Sequence, residues 1–170
     1  MSKAFTKEDD ASELPELPRL QSPLKPGERN YLTQAGAERL RRELERLVGE
    51  QRPPLLATAP ADGEARRELA VLDQRVAYLQ ESLRTAVIVV PDAAWDDRVR
   101  FGATVTVSNG AGERTIYRLV GVDETDLKKN WVSWQCPVAR ALLNRRVGDK
   151  VAFRFPAGQT ELAVEKVEYT

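Results

Sequence analysis

The sequence contains no histidine and a single cysteine, Cys136, among its 170 residues. The absence of histidine excludes Ser-His-Asp and Cys-His catalysis and any zinc site that needs imidazole. One cysteine cannot form an intrachain disulfide or an all-thiolate zinc site. Acid–base or metal chemistry would therefore depend on carboxylates. We interpret Cys136 as a small packing residue, and we expect a reducing, cytoplasmic location for the chain.

Long apolar runs and an excess charge of one sign are also missing. No apolar stretch approaches the roughly 18 residues of a membrane span, and none follows the first lysines as a secretory signal would require. The 26 basic and 26 acidic side chains cancel, so no general attraction to nucleic acid is expected. We expect a soluble monomer that meets nucleic acid only through a partner already holding it.

Two apolar stripes at helical spacing are the strongest pattern in the chain. The first comprises Thr33, Ala37, Leu40, Leu44 and Leu47, and the second comprises Leu69, Leu72, Val76, Leu79 and Leu83. Spacings of three and four residues keep one helix face toward a partner helix. Because only residues 53–63 separate the stripes, they predict an antiparallel coiled-coil hairpin of two helices over residues 30–87.

Local signals predict where the first helix begins and ends. Thr33 has the hydroxyl of an N-cap residue, directly ahead of the first stripe. Pro53 and Pro54 predict that the helix ends or kinks, because proline lacks a backbone donor and clashes with the preceding turn. A short helical extension over residues 55–58 and a turn over residues 59–63 are expected to follow.

Residues 1–29 differ in composition from the rest of the chain. Pro15, Pro18, Pro23 and Pro26 lie among glutamate, aspartate, serine and lysine. Such a segment buries too little apolar surface to compensate for the entropy lost on ordering. We predict a disordered tail.

After residue 88 the apolar period changes from helical to two, which is typical of strands. The predicted strands cover residues 99–107, 115–119, 131–135, 149–155 and 161–169. A short helix that begins at Pro137 lies between the third and fourth of these strands. The sequence thus predicts an α+β chain whose residues 88–170 form a small, mostly antiparallel sheet with one helix.

Several segments resemble the GreA/GreB transcript-cleavage and elongation factors, most closely on the GreB side. They are Asn30-Tyr31-Leu32-Thr33, Val120-Gly121-Val122-Asp123-Glu124, and Cys136-Pro137-Val138-Ala139-Arg140-Ala141-Leu142-Leu143 followed by Val147-Gly148-Asp149. The similarity covers residues 30–170. It implies an FKBP-like sheet domain that binds bacterial RNA polymerase at the rim of its secondary channel, with the helical hairpin threaded toward the active site. The chain would then regulate the polymerase and not catalyse alone.

Within that resemblance, the segment from Cys136 through Pro137, Val138 and Ala139 to Arg140 matches the family's polymerase-docking segment, with cysteine where the family has serine. Six arginines are available to a channel wall or to extruded RNA: Arg39, Arg42, Arg46, Arg66, Arg67 and Arg75. Mixed arginine and glutamate along a helix is also the ordinary composition of a solvated face.

The resemblance implies that acidic residues at the hairpin tip help to hold a second Mg²⁺ of the polymerase, which then hydrolyses its own backtracked RNA. Asp62 and Glu64 occupy this position. The family's tip signature, Leu-Gly-Asp followed three residues later by Glu-Asn-Ala, is absent here. A tip shorter by about a dozen residues, with half of them lost from each arm, would retract the finger by about 9 Å. We therefore expect channel occupancy, with cleavage through Asp62 and Glu64 as the alternative.

A function of another class remains open. An FKBP-like sheet would suit a prolyl isomerase if aromatic side chains lined one apolar pocket. The candidates are Tyr117, Trp131, Trp134, Phe153 and Phe155. Aromatic residues at strand spacing more often belong to the core.

Overall fold

The computed structural model describes residues 20–92, 97–155 and 158–169. Most of the tail predicted for residues 1–29 lies outside the described residues, and residues 20–29 form no helix or strand. The chain folds into a helical hairpin followed by a curled five-stranded sheet, which confirms the α+β prediction. Within the described ranges, no helix combines the length and apolar character needed to span a membrane.

The finger, residues 34–85, is a pair of antiparallel helical arms, which confirms the predicted hairpin. Its first arm consists of α1 (Gln34–Arg46), a π-helical segment (Leu47–Gln51) and α2 (Arg52–Thr58). Its second arm is a single helix, α3 (Gly63–Thr85).

Of the two outcomes predicted at Pro53 and Pro54, an end or a kink of the helix, the end does not occur, because the first arm continues helically through both prolines to Thr58. In a regular helix their rings would press against carbonyl groups four residues earlier. The segment before them widens into a π-helix, in which the Arg52 N–H bonds to the Leu47 carbonyl five residues back. The prolines then lie in the first turn of α2, where no donor is required. The turn between the arms is consequently only Ala59–Asp62.

An apolar seam holds the two arms together. Its buried members are Leu32, Ala37, Leu40, Leu47, Leu72 and Leu79, and Leu44, Leu55, Val76 and Leu83 are partly buried beside them. Nearly all of these side chains belong to the two predicted stripes. Ion pairs also cross between the arms, joining Arg52 Nε to Asp73 Oδ1 at 2.7 Å and Arg75 Nε to Glu43 Oε1 at 2.8 Å.

The described strands form two sheets. At the base of the finger, β1 (Asn30–Thr33) and β2 (Ala86–Val89) pair in parallel. The larger sheet contains β3 (Ala103–Asn109), β4 (Arg114–Val120), β5 (Trp131–Ser133), β6 (Lys150–Phe155) and β7 (Gly158–Tyr169), in the order β5-β4-β3-β7-β6. Its strand pairs are antiparallel except β4–β5, which is parallel. This agrees with the predicted small, mostly antiparallel sheet, although the parallel pairing at the β5 edge was not predicted.

The sheet curls around α4 (Pro137–Leu142), the predicted short helix. Together they bury an apolar core whose fully enclosed members include Val99, Val105, Val107, Leu119, Ala139 and Leu142. The inward side chains of β3 alternate with outward ones, as the period-two pattern predicted.

A buried carboxylate, Glu124, joins the base of the finger to the sheet domain. Its side chain is 2% exposed and accepts hydrogen bonds from the Thr33 N–H at 2.9 Å, the Thr33 hydroxyl and the Gly121 N–H at 2.9 Å. The Thr33 hydroxyl oxygen accepts in turn from the Gly36 N–H at 3.0 Å, so Thr33 is the predicted N-cap of α1. We call these four residues the Glu124 junction. Because a buried carboxylate is tolerated only when it is hydrogen-bonded, the junction fixes where α1 begins on the sheet domain.

A substitution at Gly36 tests the role of this junction, because an added Cβ would lie 1.9 Å from Glu124 Oε1. We expect Gly36→Ala to displace the carboxylate and to lower the free energy of unfolding by about 1–3 kcal/mol, as overpacking does. Urea unfolding followed by circular dichroism measures the loss. Gly49→Ala is the matched control, since nothing lies within 4 Å of a Cβ added there. Equal effects of the two substitutions would contradict the proposed role of the junction.

Candidate functional site

The tip of the finger is formed by the turn Ala59–Asp62 and the first residues of α3. Asp62 is the N-cap of α3, and its Oδ1 accepts a hydrogen bond from the Glu64 N–H at 2.8 Å. Glu64 lies in the first turn of α3, and both side chains are exposed. The structure therefore brings the two predicted acidic residues together at the tip. Acidic side chains at this position also favour the positive end of the helix dipole.

These two carboxylates do not form a metal site of their own. Asp62 already uses one oxygen as the helix cap. Across the part of the chain that the structure describes, no group of three or more potential ligands is arranged to hold a metal ion. A Mg²⁺ ion bound through one or two carboxylates takes its other ligands from water or phosphate. A Mg²⁺ ion at the tip would thus take most of its ligands from water or from another molecule.

The flanks of the tip are basic and apolar. Arg66 and Arg67 are exposed beside the acidic pair, and Arg66 Nη2 lies 3.5 Å from the Pro60 carbonyl oxygen. A shallow groove between the arms is lined by Leu55, Leu72 and the 53%-exposed Val71, together with Glu64, Arg67 and Glu68. The surface of the tip therefore combines acidic, basic and apolar side chains and is not uniformly acidic.

The predicted contact arginines differ in how accessible they are. Those with exposed side chains are Arg42, Arg46, Arg66 and Arg67. Arg75 is partly buried, and its hydrogen bond to Glu43 raises the pKa of its guanidinium. Arg39 lies at the finger base, where its guanidinium stacks 5.8 Å from the Trp131 ring centre. Arg39 and Arg75 thus have structural contacts within the chain, and the exposed four remain available to a partner.

The predicted docking segment surrounds the start of α4. Cys136 is the partly buried N-cap residue and Pro137 is the exposed first residue of the helix. Val138 and Ala139 point into the core, at 7% and 0% exposure, because α4 needs an apolar face against the sheet. Arg140 is exposed. Pro137 and Arg140 are therefore the members that a partner can touch, while the other three hold the helix in place.

The tail also reaches this region. Gln135 Nε2 donates a hydrogen bond of 2.7 Å to Glu28 Oε2, directly before the docking segment. The Lys25 N–H and the Gln135 amide together hold the pKa of Glu28 below its usual range. Residues 20–29 are consequently a neighbour of the docking segment, a contact that no sequence pattern indicated.

A second carboxylate, beside the Glu124 junction, holds α3 in place. Asp123 accepts hydrogen bonds from the Tyr78 and Ser82 hydroxyl groups, and Asn30 Nδ2 donates to the Ser82 carbonyl at 3.0 Å. Burial raises the pKa of Tyr78, and the hydrogen bond to Asp123 raises it further. Sequence reasoning missed these roles, although Asp123 and Glu124 lie within a segment that carried the family resemblance.

The aromatic side chains considered for an isomerase pocket are dispersed. Trp134 packs edge-on against Tyr31 with ring centres 5.4 Å apart, and Trp131 is stacked with cationic side chains. Tyr117 and Phe153 pack against the sheet core, and the side chain of Phe155 lies outside the described residues. The structure gives no support to the isomerase alternative.

Comparison with known proteins gives consistent sequence matches. Residues 94–169 match the family model described as transcription elongation factor, GreA/GreB, C-term. Transcription elongation factor GreB of Neisseria meningitidis serogroup A is 35% identical over 154 residues, which covers 83% of this chain and 94% of the relative. GreB of Yersinia pestis is 37% identical over 152 residues, covering 82% of this chain and 89% of the relative.

Solved structures that are similar to this chain come from the same group of proteins. GreA factor homolog 1 of Thermus thermophilus is 27% identical, with coverage of 83% of this chain and 99% of that chain and a TM-score of 0.40. A prokaryotic transcription elongation factor GreA/GreB from Nitrosomonas europaea is 23% identical, with coverage of 83% and 100% and a TM-score of 0.42. The sequence matches, and not these superpositions, support the assignment of the family.

The capping role of Asp62 can be separated from its charge. We expect Asp62→Ala to destabilise the first turn of α3 by about 0.5–2 kcal/mol, because the side-chain acceptor is lost. Asp62→Asn keeps an oxygen acceptor and should behave like the wild type. Amide hydrogen exchange at Gly63–Arg66 measures this local opening, which a global melting temperature would miss. Wild-type exchange rates in Asp62→Ala would contradict the capping role.

The contact between Tyr78 and Asp123 predicts a dependence on alkaline pH. An unfolded chain ionises its tyrosines near pH 10, whereas the folded chain keeps the Tyr78 proton to a higher pH. The stabilisation is therefore complete below pH 10 and declines as the pH rises above it. Urea unfolding at pH 8 and pH 11 should show a steeper decline for the wild type than for Tyr78→Phe. Parallel declines would argue against this coupling.

Proposed function

Because the chain belongs to the GreA/GreB family of transcription elongation factors, we propose that it binds bacterial RNA polymerase with its finger in the secondary channel. Gre-type factors act through the polymerase and are not enzymes by themselves. We further propose that the chain works as a cytoplasmic monomer that meets nucleic acid only within the transcription complex.

The observation that carries this proposal is the finger itself. Its first arm runs helically from residue 34 to residue 58, which corresponds to roughly 37 Å at about 1.5 Å per residue. The apolar seam is buried between the arms, so the outer faces are mostly polar, apart from the exposed Val48, Leu56 and Val71, and they suit a hydrated channel. The Glu124 junction holds the base of this rod on the sheet domain. A rod with a fixed base is what insertion into another protein requires.

The exposed side chains of the docking segment favour a contact at the channel rim. Pro137 and Arg140 face outward, while Val138 and Ala139 anchor α4 in the core. Proline offers a rigid apolar contact, and arginine can form two parallel hydrogen bonds to a carboxylate. We propose that these two residues contact the polymerase, on a helix whose position the sheet core determines.

The tip favours occupancy of the channel over stimulation of RNA cleavage. Asp62 is committed to capping α3, and Arg66 and Arg67 flank the acidic pair with positive charge. Cleavage remains the alternative, because Glu64 and one oxygen of Asp62 are exposed at the end of the finger. In that case the two residues would supplement the ligands of a Mg²⁺ ion held by the polymerase.

A competition assay tests the proposal. Backtracked elongation complexes carrying labelled RNA are incubated with GreB of Neisseria meningitidis and increasing amounts of this chain. We expect the chain to suppress cleavage stimulated by that GreB, because both proteins would occupy one channel. The double variant Asp62→Asn with Glu64→Gln should compete equally well, since it retains the helix cap. Arg140→Glu should require about fivefold more protein, the scale of one exposed ion pair.

The alternatives give different results in the same assay. Cleavage stimulated by the wild-type chain alone, and lost in the double variant, would establish the cleavage mechanism. Failure of the wild-type chain to compete or to stimulate would contradict the proposal of channel binding.

A further inference from the structure

One apolar side chain of the sheet domain is presented almost completely to solvent. Leu127 is 87% exposed, more than any other large apolar side chain in the described ranges, and it lies in the connection between β4 and β5. Single exposed apolar residues are common on protein surfaces and need no function. The local structure around Leu127 distinguishes it from such residues. We call residues 126–131 the Leu127 turn.

The Leu127 turn is held in one conformation by its own backbone. Asp126 and Trp131 exchange both backbone hydrogen bonds, at 3.0 Å and 2.9 Å. The Asp126 carboxylate also caps the turn by accepting from the Lys128 N–H at 3.0 Å, and Asn130 takes a left-handed conformation with φ of 54°. Leu127 is therefore presented from an ordered apex. A preorganised backbone loses little conformational entropy when it binds.

The surroundings of Leu127 are positively charged. Lys128 and Lys129 follow it and are exposed. Lys129 Nζ lies 5.0 Å from the Trp131 ring centre, and the guanidinium of Arg118 stacks on the same ring at 4.9 Å. The nearby carboxylate of Asp126 is engaged with Lys129 at 3.5 Å and with the helical turn. The turn thus combines an apolar apex with a basic rim.

The turn also lies along the same sheet edge as the docking segment. β5 is the outermost strand and only three residues long, so its two ends are roughly 10 Å apart. The Leu127 turn precedes β5, and Pro137 follows it within a few residues. Because Asp126 occupies the outer backbone groups of Trp131, an added strand could not pair there. A partner would therefore have to bind this edge through side chains.

We propose that the Leu127 turn is a second docking contact with RNA polymerase, in which Leu127 enters an apolar depression bordered by acidic side chains. The inference rests on the proposed function, and it adds a contact on the far side of β5 from Pro137. A nucleic-acid backbone fits the apex less well, because phosphates would leave the leucine unburied while engaging only its basic neighbours. Two contacts flanking one strand would fix the rotation of the sheet domain on the polymerase as well as its position.

The test measures affinity for core RNA polymerase from the bacterium that produces the chain, using the labelled full-length protein. We expect Leu127→Ser to weaken binding by about five- to tenfold, the effect of removing one buried leucine contact. Lys128→Glu should weaken binding by about threefold and more strongly at low salt. The melting temperature of both variants should equal that of the wild type, since neither side chain is buried.

Ile116→Ser is the matched control, because Ile116 is 55% exposed on β4 of the same domain and should leave the affinity unchanged. Wild-type affinity in Leu127→Ser, or an equal loss in Ile116→Ser, would overturn the inference. So would binding of a labelled RNA without polymerase that Lys128→Glu abolishes, since that result would assign the turn to nucleic acid. Failure of the wild-type chain to bind polymerase would instead refute the proposed function.

Discussion

The buried carboxylate of Glu124 is the interaction on which the rest of the structure depends. It accepts hydrogen bonds from the backbone and hydroxyl of Thr33 and from the backbone of Gly121, and Thr33 in turn caps α1. A finger that is long compared with its base would swing widely for a small change in angle there. The close fit leaves no room for such a change, because a Cβ on Gly121 would lie 2.3 Å from the Tyr31 carbonyl oxygen. Asp123 adds a second point of attachment, on α3, so both arms are held.

The finger and the sheet domain thus have separate roles. The adjacent acidic residues Asp123 and Glu124 join these two parts of the chain. The seam between the arms gives stiffness, and the sheet core positions α4 and the edge strand β5. Side chains free to contact a partner occur at the tip, along the outer face of the arms and near β5. This division explains why five of the eleven predicted contact residues serve the fold. Arg39 stacks on Trp131, Arg75 pairs with Glu43, Cys136 is the N-cap residue of α4, and Val138 and Ala139 fill the core. The members left exposed are those proposed to contact the polymerase.

Much of this architecture could be predicted from local pattern. The leucine stripes identified both arms because helical periodicity persists over many residues, and the N-cap at Thr33 was recognisable from its chemistry. The two prolines also indicated correctly where the first arm departs from a regular α-helix. They did not indicate that the departure is a π-helical segment. A π-helical turn depends on whether packing with the second arm outweighs the lost donors, and α2 does pack on α3 through Leu55. The parallel pairing of β5 and the short strands β1 and β2 were missed, since contacts distant in sequence determine them. The roles of Asp123 and Glu124 were missed for the same reason.

The π-helical segment Leu47–Gln51 has a consequence for the direction in which the tip faces. A π-turn accommodates one more residue than an α-turn, and each residue of an α-helix rotates the chain by about 100°. If the same residues formed a regular α-helix instead, α2 and the loop beyond it would be turned by about that angle. Asp62 and Arg66 would then face another wall of any cavity that encloses them, without a change in their own sequence. The direction in which the tip faces is therefore set by the π-helical segment that precedes the two prolines.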